Sequence, residues 1–393
     1  MPHVTNADSL DGGNGTASNM DDFITNKLAE FITSTNLFSA DDHWTRSASD
    51  TAVDTNESEV FLAPPVNLTA DEDLPPYMSF HTLSEGCFMF PGNGYSGTED
   101  SYDQPGGPGA FPAVSGSSPN WDLSSSSPIH SCPLIGFNLP TSYLSHHLFA
   151  PADGRYCYAA IEVATRRWRH ILFGNFDKFG GPTAFDGGEF CLSHGWSTNA
   201  IYIDDPYSSS GTDITAPGFQ NNNNLTLSQR GMQSGVFRAD GIQQGDTAEW
   251  FGCRPTSNTL TTSHGTRSTL FSNVNQTGGN QVIGIGLLTG AGRSLGNMLF
   301  NTNPSLLSNA VPLLPIYFAI STFIDGDERF APIGKLPDVY RINMKNFNPG
   351  DTITIGSDDY KVFPLVNSDT VNTVANDEYS GYEGLAYKIT PNP

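Results

Sequence analysis

Apolar residues recur at helical spacing in one stretch of the chain only. Phe23, Ile24, Leu28, Phe31 and Ile32 fall on one face of a helix that would begin near Asn19. Asn19 suits an N-cap, and Asp21 and Asp22 stand in the first turn, where the helix dipole favours negative charge. Elsewhere the pattern is that of strands and turns. Tyr77–His81 and Gly86–Phe90 read as strands. Tyr156–Val163 and Arg166–Phe173, parted by a tight turn, read as a hairpin. Toward the C-terminus, Val339–Met344 is a strand and Asn348–Asp351 a turn. Thr352–Ile355 and Tyr360–Leu365 then flank the turn Gly356–Asp359, and Leu385–Ile389 makes a last strand. Asp50–Glu59, acidic and rich in Ser and Thr, reads as a loop.

These elements predict a strand-rich α+β fold with antiparallel sheets, one N-terminal helix and long Gly/Ser/Pro loops. Residues 1–18 form a polar arm. Residues 19–200 make a strand-rich α+β domain, with an insertion at about 92–128 too long for an ordinary loop. Residues 201–330 are loop-rich, and 331–393 form a C-terminal β-hairpin domain. The most apolar run, Val311–Ile324, is interrupted by Pro312 and Pro315, and no run reaches transmembrane length. The first twenty residues lack the charged-then-apolar pattern of a signal peptide.

Charge changes the picture of partners. Eighteen Lys and Arg stand against 41 Asp and Glu, a formal net charge of −23, although charged residues are only 15 % of the chain. Such a chain lacks the basic footprint that grips phosphates or anionic membranes. Its acidity reads either as solubility and self-repulsion or as a repulsive wall beside DNA. The scarcity of Lys and Glu also suits a subunit covered by neighbours. The five cysteines (Cys87, Cys132, Cys157, Cys191 and Cys253) are odd in number and far apart, so no disulfide framework or zinc knuckle is expected.

Candidate chemistry is sparse. Gly290–Gly296 resembles a dinucleotide fingerprint but has one residue too many before its last Gly. His146 and His147 are adjacent, so on a strand they would face opposite ways, poor geometry for a shared metal. His170 and His194 read as packed or hydrogen-bonded side chains. Asp177, Asp186 and Glu189 could furnish a carboxylate pair for sugar hydrolysis, or be ordinary surface acids. Asp325–Glu328 lacks the rest of a calcium loop. No catalytic residue, cofactor or metal site is therefore expected. In a chain this poor in basic residues Arg166, Arg167 and Arg169 stand out, with Trp168 between the last two. Arg167, Trp168 and Arg169 are the candidate subunit interface, since Arg and Trp anchor interfaces; local salt bridges are the alternative for the arginines.

Two segments carry a resemblance. One runs Tyr156–Val163, Trp168–Gly180 (WRHILFGNFDKFG) and Gly187–Phe190. The other runs Pro337–Gly356, then Val362–Pro364 and Ser380–Tyr387. Together they resemble virion proteins of tailed bacteriophages, in which a strand ending in Arg-His precedes FGxxxKxG and TGG and a hairpin closes the chain. The likeness spans about a third of the sequence. The chain departs from the pattern in its insertion near 92–128 and in Ala184–Asp186, which separate Thr183 from Gly187. The resemblance implies a non-enzymatic structural subunit of the head–tail neck or tail, akin to a tail terminator. Its implied partners are copies of itself in a ring, other neck or tail proteins, and DNA passing through the lumen without specific binding. The alternatives are a tail-tube or capsid-surface protein, or a receptor-binding or glycan-active tail protein.

Overall fold

The structure is a computed structural model. It describes residues 3–5, 20–54, 57–68, 75–83, 86–92, 94, 134–136, 145–164, 167–195, 233–240, 250–253, 267–269, 311–324, 327–364 and 383–389. Asn19, most of the 1–18 arm and of the 92–128 insertion, and Gly290–Gly296 lie outside them.

In chain order the first strands are β1 (His3–Thr5), β2 (Thr45–Asp54), β3 (Glu57–Ala63), β4 (Tyr77–Leu83), β5 (Gly86–Gly92), β6 (Leu134–Gly136) and β7 (Ser145–Phe149). Next come β8 (Tyr156–Ala164), β9 (Arg167–Asn175), β10 (Asp177–Lys178), β11 (Asp186–Gly195), β12 (Gln233–Asp240), β13 (Trp250–Cys253) and β14 (Arg267–Thr269). The last five are β15 (Leu314–Ile324), β16 (Asp327–Asn343), β17 (Thr352–Ile355), β18 (Asp358–Pro364) and β19 (Glu383–Ile389). Between β1 and β2 runs the helix α1. It is α-helical over Met20–Phe23, opens into a π turn over Ile24–Leu28, where the Ala29 N–H reaches back to the Ile24 carbonyl, and is α-helical again over Ala29–Ile32.

The protein is thus strand-rich and antiparallel, with α1 its principal helix among the described residues. Strands β2 to β6 form a sheet in sequence order. A larger sheet has the order β1-β7-β8-β9-β11-β12-β13-β14-β15-β16-β19-β18-β17, with β10 pairing to β16 off this path. Among the described residues every pairing is antiparallel except that of β13 with β14.

Strands β7, β8, β9 and β11 separate two cores. Cys157, Ala159 and Ile161 of β8 point into one, beside Phe23, Leu28 and Phe31 of α1 and Val60, Met78 and Phe80 of the smaller sheet. Tyr156, Tyr158 and Ala160, the alternate positions, point into the other, beside Val339, Phe363, Leu385 and Tyr387. The period of two along a strand makes this division, and burial on both faces explains why β8 reads as a nearly continuous apolar run. The second core requires the larger sheet to curl back on itself. Strands far apart in its order touch there, with Phe149 stacked on Tyr387 at 4.6 Å and Trp168 packed on Phe363 at 4.9 Å.

Three expectations change. Asp50–Glu59 is not a loop but the meeting of β2 and β3, in register with Ser49 opposite Val60 and Asp50 opposite Glu59; its Thr, Val and Ser suit strands, and the acidic residues obscured this. The 331–393 segment does not stand apart. Its strands β18 and β19 join β16 in the larger sheet and close the second core over β8 and β9, because their apolar faces are buried there. Within the arm, His3–Thr5 is a strand paired with β7.

Candidate functional site

Between Phe173 and Gly188, within the first of the two resembling stretches, the chain turns a corner of the larger sheet. Strand β9 runs through Asn175 and Phe176 into β10, which leaves the β8/β11 wall and pairs with β16, Asp177 opposite Lys335. Backbone bonds fix the crossing: Asn175 N–H to the Arg155 carbonyl at 2.9 Å, Phe176 N–H to Gly188 at 2.9 Å and Phe179 N–H to Ile333 at 2.8 Å. Gly174 has φ +140, and a Cβ there would run into the Tyr156 backbone. That is a conformation and a closeness only glycine allows. Phe176 enters the second core and stacks on Phe318 at 4.1 Å.

Charges at the corner are paired within the chain. Asp177 lies between Arg155 Nη1 at 3.2 Å and Lys335 Nζ at 3.6 Å. Lys178 donates to the carbonyls of Phe185 at 3.1 Å and Gly187 at 2.9 Å, closing the loop between β10 and β11, and its ammonium rests over the Phe185 ring. Arg238 Nη1 meets Glu189 at 2.9 Å. Two of the three carboxylates that could have served sugar hydrolysis, Asp177 and Glu189, are therefore engaged by separate cations. Asp186 is exposed.

Polar groups thread the second core. Tyr156 and Tyr158, side by side at 4.6 Å, donate to the Asp338 carboxylate and, at 2.9 Å, to the Pro337 carbonyl. Burial pushes both hydroxyls up, and the Asp338 charge adds to it, so both stay protonated donors. Asp338 is the non-glycine residue of positive φ, +55, among the described residues. The Tyr156 bond helps hold that strained conformation. His170 is buried between Tyr387 Oη at 2.7 Å from Nδ1 and the Pro364 carbonyl at 2.9 Å from Nε2. A carbonyl only accepts, so Nε2 carries a proton, and in the neutral ring Nδ1 accepts from the tyrosine. The expectation of a hydrogen-bonded His170 holds. Sequence reasoning missed the Tyr156–Tyr158–Asp338 set; the Tyr-x-Tyr spacing was its one available signal.

His146 and His147 face opposite sides, as expected. His146 meets the Phe23 ring edge at 5.4 Å, whereas His147 packs on Phe363 at 4.6 Å. Burial, then Lys27, lowers the His146 pKa to about 4; burial, then His3, lowers that of His147 to about 3. Among the described residues no group of three or more His, Cys, Asp or Glu comes together to hold a metal. No helix there is long and apolar enough to cross a membrane.

Of the expected interface trio, Trp168 is corrected. It is 2 % exposed, enclosed by Phe363 and His147 of its own chain, so it cannot anchor a neighbour. The returning C-terminal hairpin covers it. Arg167 and Arg169 lie on β9, opposite Ala164 and Ile161 of β8. No family model matches the chain, and no curated protein matches it.

Proposed function

We propose that this strand-rich α+β chain is a non-enzymatic structural subunit of a tailed-bacteriophage virion. It would form a homo-oligomeric ring in the head–tail neck or tail, akin to a tail terminator, with DNA passing through unbound. It would assemble in the host cytoplasm beside other neck or tail proteins.

One observation carries the reading. In the stretch resembling those virion proteins, the charged side chains of Asp177, Lys178 and Glu189 are each committed to partners within the chain. That is the use of residues expected where a motif fixes a shape rather than a reaction. The net charge of −23 fits a channel wall that repels DNA. Screening confines that repulsion to about 8–10 Å at physiological salt, so it acts where DNA nearly touches the wall.

Native mass spectrometry of the purified chain, with electron microscopy of the same sample, tests this. A closed ring with an acidic or neutral lumen is expected. A stable monomer at micromolar concentration would overturn the ring, and a basic lumen would overturn its electrostatics.

A further inference from the structure

The N-terminal strand is short, terminal in the sheet and placed in an aromatic socket. Strand β1 pairs with β7 through His3–Phe149, Val4–Leu148 and Thr5–His147. In the strand order it stands at the end, so it covers the outer edge of β7. The His3 ring stacks on Phe149 at 4.6 Å and on His147 at 5.5 Å, and its Nε2 lies 3.2 Å from His147 Nδ1. Those two residues lead directly into the second core, through Phe363 and Tyr387. Without β1 an edge of backbone donors and acceptors would lie open beside aromatic rings, the kind of surface that recruits another strand.

The chain that joins β1 to α1 is much longer than this placement requires. Phe23 of α1 touches His146, and His3 touches His147, its neighbour on the opposite face of the same strand. The ends to be joined lie against the two faces of one strand, a separation on the order of 10 Å. It has 14 residues, 6–19, including Gly12, Gly13 and Gly15 and no proline. At about 3.3 Å per residue these reach roughly 46 Å, enough to span a subunit boundary.

From this we infer that β1 is an exchangeable strand: in the assembled protein His3–Thr5 of one copy completes the β7 edge of the next. The same contacts form within a chain or between chains, so exchange needs no new surface. Passed from each copy to the next, it is a head-to-tail contact, the kind that closes rings. The inference rests on the oligomeric reading above and supplies its joint.

Mixing distinguishes the two. Chains carrying Val4→Cys are unfolded with chains carrying Leu148→Cys, refolded together and oxidised, with each variant alone as control. Directly opposed residues in an antiparallel pair have Cβ atoms about 4.5–5.5 Å apart, close enough for a disulfide to form with slight adjustment. A covalent dimer in the mixture and in neither control is expected. Thr5→Cys with His147→Cys repeats the test on the next pair if the Leu148 variant folds poorly. Deletion of residues 1–5 should leave the circular dichroism of the fold and lose the oligomer on size exclusion. An oligomer that cross-links only within a chain carrying both cysteines, or that survives the deletion, overturns the exchange and leaves the ring standing. A chain that is monomeric throughout, wild type included, overturns both.

Discussion

The two cores on either side of β8, β9 and β11 are built from the same strands by different means. Facing α1 and the smaller sheet, the packing is largely apolar: Ile24, Leu28, Phe31 and Ile32 meet Ile161, Ile171 and Phe173. Trp44 hydrogen-bonds the Gly154 carbonyl at 2.7 Å, one polar tie that closes this side over the turn before β8. Facing β16, β18 and β19, the packing is aromatic and threaded by directed bonds from Tyr156, Tyr158 and Tyr387. An apolar contact accepts many arrangements, whereas a buried donor accepts very few. The first core supplies stability through area. The second fixes the register in which the C-terminal hairpin returns.

The largest effect should come from breaking the apolar side. Phe31 is fully buried and packs edge-on against Phe38 at 5.8 Å. Phe31→Ala should lower unfolding free energy by about 3–5 kcal/mol in denaturant titration. Phe31→Asp should unfold the chain. A near-normal midpoint for the Asp variant would mean that α1 is not a wall of this core.

Acid should strain both cores through the adjacent histidines. The folded values, about 4 for His146 and about 3 for His147, lie below the ordinary 6.5. The unfolded chain therefore binds protons first as pH falls. Stability from these groups is whole above about pH 6.5 and drains as pH drops toward their folded values. For His146 the full loss is about 3 kcal/mol. His146→Gln should flatten that part of the profile between pH 6.5 and 4, relative to wild type. Equal slopes in the two proteins would show that His146 is not held neutral by burial.

How much of this could be read beforehand depends on the range of the interaction. Local periodicity located α1, the β8/β9 hairpin, the β17/β18 hairpin and the opposed faces of His146 and His147. What decided the rest was contact between segments far apart in sequence. Trp168 looked like an exposed anchor because one strand's pattern cannot tell whether a hairpin nearly two hundred residues later will cover it. The Asp338 partner of Tyr156 is 182 positions away, and nothing near either residue announces the other. At the corner, the glycines and Lys178 were visible as a motif; that they close a crossing from one wall to the other was not.

The directed side should break by smaller steps. Tyr158→Phe keeps the ring and removes the donor to the Pro337 carbonyl, leaving that carbonyl buried without it. A loss of about 1–3 kcal/mol is expected. Tyr387→Phe should cost a similar amount by stripping His170 Nδ1 of its donor. Double-mutant cycles with His170→Phe would show coupling for Tyr387 and little for Tyr158. Equal coupling for both would mean that the second core is held by packing alone, and the contrast between the cores would dissolve.

The smallest effect expected is none, and it probes the apolar side again. Cys157 and Cys191 are both reduced and buried there. Cys157 stands opposite Phe173, and Phe173 opposite Cys191, so the two cysteines are two strands apart. At about 4.8 Å per strand they are roughly 10 Å from each other, beyond the span of a disulfide. Burial pushes both thiols well up, so the thiolate that would react is scarce. These two do not pair, and with no disulfide expected from the spacing of Cys87, Cys132 and Cys253 either, a melting temperature unchanged by reductant is predicted, together with alkylation of Cys157 and Cys191 only as the protein unfolds. A drop of many degrees in reductant would mean that a disulfide does hold the fold. Fast alkylation of Cys157 or Cys191 at neutral pH would mean that the apolar core opens far more readily than its packing implies.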